Sequence, residues 1–289
     1  MKSANREPRN FILTAIVVLS LFIPNCATAP SSSEGKPVSS SELVEIETRP
    51  GVTQKFILIT PVDPVAAVVL FAAGRGKLGM AGFGGKPTLA RSDNFLVRAR
   101  EDFADHGLMV AVVDSPSDQQ ARGINSLFRI SKEHVQDIEA VASYLKSKAD
   151  LPVWLVGSGE GTFSAANGTI NIKEKIDGLI LAAGITRTPL SWRMHRTHPQ
   201  GVIDMRLADI GVPVLVVWHS GDKCQLGSPA DAPILKAGLT NSPSVEIRYF
   251  TGGKAPMSNE CYPQSPHGFY GVEEQVVSAI AEFIKSSGK

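Results

Sequence analysis

Apolar residues along this chain fall into two rhythms. The first is the unbroken run: Ala66–Ala72, Leu108–Val113, Val153–Val156, Gly178–Ala183 and Val212–Trp218 are apolar or small almost throughout. Runs of this length, rich in β-branched residues, predict strands buried on both faces. Val245–Phe250 is predicted as the last strand, and Leu43–Thr48 and Lys55–Thr60 as an early pair joined by a turn at Pro50-Gly51. The second rhythm is helical. Phe95–Asp105 follows a capping Asn94 and ends at His106-Gly107. His134–Lys148 follows Ser131 and Lys132, with Val135, Ile138, Val141 and Leu145 spaced for one face. Gly271–Ser286 closes the chain with Val276, Val277, Ile280, Phe283 and Ile284. Strands alternating with helices predict an α/β domain with a mostly parallel central sheet flanked by helices on both faces. A glycine-rich loop from Gly74 to Gly85 and an Arg-, His- and Pro-rich segment from Thr186 to Gly201 interrupt the alternation, the latter as a short lid.

The N-terminus follows neither rhythm. Lys2, Arg6 and Arg9 precede an uncharged apolar run, Phe11 to Pro24, and a Ser/Pro-rich stretch follows. This is the layout of a signal peptide, and the apolar run is too short to cross a hydrocarbon core of about 30 Å as a helix. Residues 1–29 are expected to be the signal, 30–41 a tether and 42–289 the folded domain. Ala27-Thr28-Ala29 offers one cleavage site, although Pro30 follows it. Cys26 offers lipidation, although Pro24 and Asn25 are not the small residues usual before such a cysteine. Either route places the chain outside the cytoplasm, in the cell envelope or secreted; a plain hydrophobic anchor is the alternative. Of three cysteines, Cys224 and Cys261 then remain to pair in an oxidising compartment, tying Asp222 to the segment that carries His267. Such a bridge contributes about 3–4 kcal/mol by loop entropy, and two unpaired buried thiols are the alternative.

Composition narrows the picture little: 289 residues, 43% apolar, net charge +1 and no block of like charge. Nothing points to a nucleic-acid partner. Gly85-Lys86 is followed by proline, so the glycine-rich loop is no phosphate loop, and no cofactor motif stands out. Cys224, Cys261 and His267 lack the paired short spacings of a metal site.

Chemistry gathers where strands end, since the carboxyl ends of parallel strands form the ligand-binding edge. After Val153–Val156 comes Gly157-Ser158-Gly159-Glu160-Gly161-Thr162, then small residues to Gly168. This has the shape of a nucleophile elbow, G-x-S-x-G, in which a serine rides on a sharp strand-to-helix turn. Registered on Gly157 and Gly161, the nucleophile slot is Gly159; the nearest hydroxyl is Ser158. Asp222 follows the strand Val212–Trp218, and His267 lies between the last strand and the last helix. The order elbow, acid, histidine matches a Ser-His-Asp system, with His267 as general base and Asp222 orienting it. Asp114, at the end of Leu108–Val113, is the alternative acid and is expected to be a turn or cap. His219 is expected to pack beside the site. Arg193, His195, Arg196 and His198 are either pocket lining or a solvated basic loop. Oxyanion donors are expected at the amide of Glu160 and in the loop after Ala66–Ala72, at Gly74 or Arg75.

On these motifs, with Leu70-Phe71-Ala72-Ala73-Gly74, Val112–Asp118 and Asp222-Lys223-Cys224, residues 43–286 resemble the α/β-hydrolase superfamily. The resemblance is to its exported bacterial dienelactone-hydrolase-like group, whose elbow usually reads G-T-S-x-G-T. It implies the fold, the acid and the base, and a small ester or acyl ligand; the serine does not carry over. Three outcomes stay open: Ser158 as a displaced nucleophile, His267 and Asp222 acting on water, or a catalytically inactive binding protein. Glycine at 159 is expected to relax the elbow's backbone strain.

Overall fold

Continuous apolar runs need cover on both faces, and the sheet supplies it. The computed structural model describes Met1 and residues 39–84, 86–173 and 176–287. The expected signal segment, Cys26 and most of the tether lie outside the described residues. No helix among those described is long and apolar enough to cross a membrane.

Ten strands occur in chain order: β1 (Ser40–Arg49), β2 (Val52–Thr60), β3 (Ala66–Phe71), β4 (Met80–Phe83), β5 (Lys86–Leu89), β6 (Leu108–Val113), β7 (Val153–Ser158), β8 (Gly178–Ala182), β9 (Val214–His219) and β10 (Val245–Phe250). Eight form one sheet in the order β1-β2-β6-β3-β7-β8-β9-β10. β1 and β2 are antiparallel to their neighbours, and β3, β6, β7, β8, β9 and β10 run parallel. Every residue of β3, β6, β7, β8 and β9 is buried. The helices are α1 (Phe95–Arg98), α2 (Arg100–Asp105), α3 (Ser126–Arg129), α4 (Lys132–Lys148), α5 (Gly161–Asn171), α6 (Ala232–Gly238) and α7 (Glu273–Ser287). Their apolar faces complete the core; Phe283 of α7, for instance, meets Trp154 of β7 edge-on at 5.7 Å.

Several expectations shift. β1 begins at Ser40, because Ser40 and Ser41 pair with Thr60 and Ile59, so the domain starts inside the expected tether. The single helix expected over 95–105 is two, broken at Ala99 (φ −91°, ψ 7°). The glycine-rich loop holds a two-stranded hairpin, β4 with β5, and sequence gave no alternation to mark it. α3 and α6 are too short for periodicity to reveal. In the lid segment residues 193–196 form a short 3-10 turn, in which Met194 is fully buried, and a second such turn opens at Gly201. That segment is fastened as well: the Thr188 hydroxyl donates to the His198 carbonyl at 2.8 Å, and His195 Nδ1 to the Thr188 carbonyl at 2.8 Å.

Candidate active site

β7 delivers the chain to a turn that only small residues can make. A Cβ at Gly157 would strike the Gly161 backbone, and one at Gly161 would strike the Phe71 carbonyl. These contacts fix both outer glycines of the motif and place Gly159 at the tip. Gly159 has φ +55°, the left-handed region that disfavours side chains. A Cβ built there would lie 3.6 Å from His267 Nε2 and 2.9 Å from the Ala73 Cβ. The position aimed at the histidine therefore carries no side chain, and Ala73 crowds the space one would need. Ser158, at the end of β7, is 3% exposed and lines the same cavity as His267.

His267 and Asp222 meet as their order along the chain suggested. His267 Nδ1 lies 2.9 Å from Asp222 Oδ2, with both side chains almost wholly buried. Trp218 Nε1 donates to the same oxygen at 2.9 Å, and the Cys224 amide to Oδ1 at 2.9 Å. A carboxylate so placed accepts only, so Nδ1 carries the proton and Nε2 offers its lone pair toward Gly159. The histidine segment is anchored on three sides. Phe269 (φ +55°) packs on Phe95 at 4.8 Å. Arg98 donates to the Gly268 carbonyl at 2.5 Å and to Glu273 at 2.8 Å. The Cys224–Cys261 disulfide, 37 residues apart in sequence, joins the acid's turn to the chain entering the histidine's turn.

The other candidates lie apart from this pair. Asp114 accepts from the Leu78 and Ser115 amides at 2.7 Å and from Met80 at 3.0 Å, which ties the glycine-rich loop to the end of β6. His219 accepts from the Gly221 amide at 3.0 Å and reaches the Gly252 carbonyl at 3.1 Å, shaping the turn before Asp222. His198 borders a separate cavity beside α4 and α5, and burial lowers its pKa.

The oxyanion expectation is corrected at Gly74. Its amide is not open: it donates to Glu160 Oε2 at 2.7 Å. Glu160 is the cap residue before α5, so its side chain starts close to the loop after β3, and an acceptor there captures the donor. Behind this loop lies Arg129, which sequence reasoning missed. Its guanidinium is 1% exposed and donates to the carbonyls of Ala72 and Gly74, each at 2.9 Å, and to Ser164 Oγ at 2.7 Å. Burial lowers its pKa to about 10, partly offset by the nearby Glu160 charge, so it stays cationic at neutral pH. Ser164 Oγ also lies 2.9 Å from Nε2 of the buried His134, whose pKa burial lowers to about 3. The one sequence signal for Arg129 was a lone cation inside the apolar stretch Leu127–Ile130.

Two adjoining cavities share Gly74, Arg75 and Glu160 as wall. One, about 500 Å³, holds His267, Ser158, Ala73 and Cys261. The other, about 380 Å³, lies against Trp192 and Arg193 of the lid segment. Neither His195 nor Arg196 lines either one. Among the described residues no three His, Cys, Asp or Glu side chains are gathered as metal ligands.

No family model matches the chain, and no curated protein matches it by sequence. Solved structures do match in fold. A dienelactone hydrolase from Anabaena variabilis shares 11% identity at a TM-score of 0.57, over 86% of this chain and 98% of that one. An esterase from Pyrococcus furiosus shares 16% at 0.58, over 86% and 90%. An α/β serine hydrolase homologue from Coxiella burnetii shares 16% at 0.52, over 85% and 98%. With the sheet order, these likenesses give the chain an α/β-hydrolase fold.

Proposed function

We propose that this chain is a small-molecule-binding protein of ester- or acyl-hydrolase descent that no longer forms an acyl-enzyme. The observation that carries this reading is the Glu160 carboxylate on the Gly74 amide. Acyl transfer needs preorganised donors aimed at a developing oxyanion; losing one such donor typically costs about 10²–10³ in rate. Here that donor faces a fixed negative charge, which would also repel an oxyanion. Independently, Gly159 brings no hydroxyl to His267 Nε2. The buried Asp222–His267 pair and the cavity beside it remain as a polar-lined binding site. Export to the cell envelope, tethered through Cys26 or released after signal cleavage, belongs to the same proposal. The Cys224–Cys261 disulfide supports it, since disulfides persist in oxidising compartments.

One second reading has its own support. His267 Nε2 faces a cavity that Ser158 also lines, so the imidazole is placed to take a proton from water there, and from the Ser158 hydroxyl if the turn rotates. Hydrolysis of p-nitrophenyl acetate and butyrate by the parent, Ser158→Ala and His267→Ala separates the cases. We expect all three to run at the buffer rate. Turnover lost in both variants would make Ser158 a nucleophile. Turnover lost only in His267→Ala would make the protein a water-activating hydrolase.

A further inference from the structure

The second cavity holds no part of the Asp222–His267 pair, yet its walls are specific. Ile124 and Leu127 give it an apolar side, and Trp192 a partly exposed indole. Arg75 and Arg193 stand in its lining, both exposed. Among the described residues no carboxylate lies within ion-pair distance of either guanidinium. The one acid in the wall, Glu160, is already engaged: its carboxylate accepts from Gly74, and its charge faces the buried Arg129. Two cations therefore remain uncompensated around an aromatic and aliphatic surface.

We infer that this cavity binds a planar aromatic anion, with its ring against Trp192 and its charged group between Arg75 and Arg193. Guanidinium groups suit both parts of such a ligand, since they fork onto carboxylates and stack on aromatic faces. Arg75 and Glu160 line both chambers, so what sets this site apart from the one at His267 is Trp192 and Arg193, which line this cavity alone. The inference gives the ligand class for the binding role proposed above and rests on that role in this respect alone.

The test is isothermal titration of the intact chain with 2-naphthoate and its neutral counterpart 2-naphthamide, at low salt. Naphthoate is expected to bind about tenfold tighter than the amide, and to weaken as salt is added. Arg75→Ala and Arg193→Ala should each weaken naphthoate roughly three- to tenfold, the range for a partly exposed charge-assisted contact, and leave the amide unchanged. Lys236→Ala, at an exposed position of α6, controls for net charge. Equal affinity for the two probes, no binding of either, or naphthoate affinity indifferent to both arginine variants would overturn the inference. Its failure differs from failure of the proposed function: ester turnover with naphthoate bound removes only the latter, and inert protein without naphthoate binding removes only the former.

Discussion

Placing serine where the turn now has glycine should destabilise the protein, and the structure gives the size. Gly159 sits at φ +55°, where a side chain costs about 1–2 kcal/mol. A Cβ would also stand 2.9 Å from the Ala73 Cβ, closer than two methyl-sized groups pack. Overpacking of this kind costs about 1–3 kcal/mol, since Ala73 belongs to a loop held by Arg129 and yields little. Gly159→Ser should then lose about 2–5 kcal/mol, or roughly 4–20 °C in Tm for a domain of this size. Ala73→Gly alone should lose about 0.4–1 kcal/mol through the unfolded chain. The double variant should regain the overlap part, so a double-mutant cycle by urea unfolding should show a favourable coupling of about 1–3 kcal/mol. Parent-like or greater stability in Gly159→Ser, or strict additivity of the two changes, would refute the steric account.

Two further outcomes follow from burial and from the cross-link. His134 titrates near 6.5 when unfolded and near 3 in the folded protein, so between these pH values the unfolded state binds more protons and stability falls as pH falls. At pH 5 the loss should be about 2 kcal/mol relative to pH 7; urea midpoints at both values should show it in the parent and not in His134→Gln. Reducing Cys224–Cys261, which spans 37 residues, should remove about 3–4 kcal/mol, read as the shift in unfolding midpoint with and without reductant; a shift below about 1 kcal/mol would show the link to be incidental.

What sequence could show here was whatever depends on runs and order. β3, β6, β7, β8 and β9 were visible because burial on both faces leaves an uninterrupted apolar signature. Asp222 was visible because it follows β9 and His267 because it lies between β10 and α7, and parallel strands gather their ends at one edge. Side-chain reach was not visible. Sequence marked Glu160 only for its backbone amide; that its carboxylate finds the Gly74 amide depends on a rotamer and on the spacing of two distant segments. Arg129 lies in a four-residue helix with no periodicity to weigh, and its partners are carbonyls, which leave no trace in composition. Ala73 matters only because its methyl group faces Gly159, and no pattern of residue types encodes that.

That last contact also bears on the history of the chain. If an ancestor carried serine at 159, the alanine methyl at 73 now stands across the path back. A lineage reverting at 159 first would pass through a protein several kcal/mol less stable, close to the threshold below which folded copies are purged. A lineage changing Ala73 to glycine first would travel nearly level ground, yet nothing in catalysis would reward that step. The pair therefore acts as a ratchet: each residue is ordinary alone, and together they make the loss of the hydroxyl slow to undo.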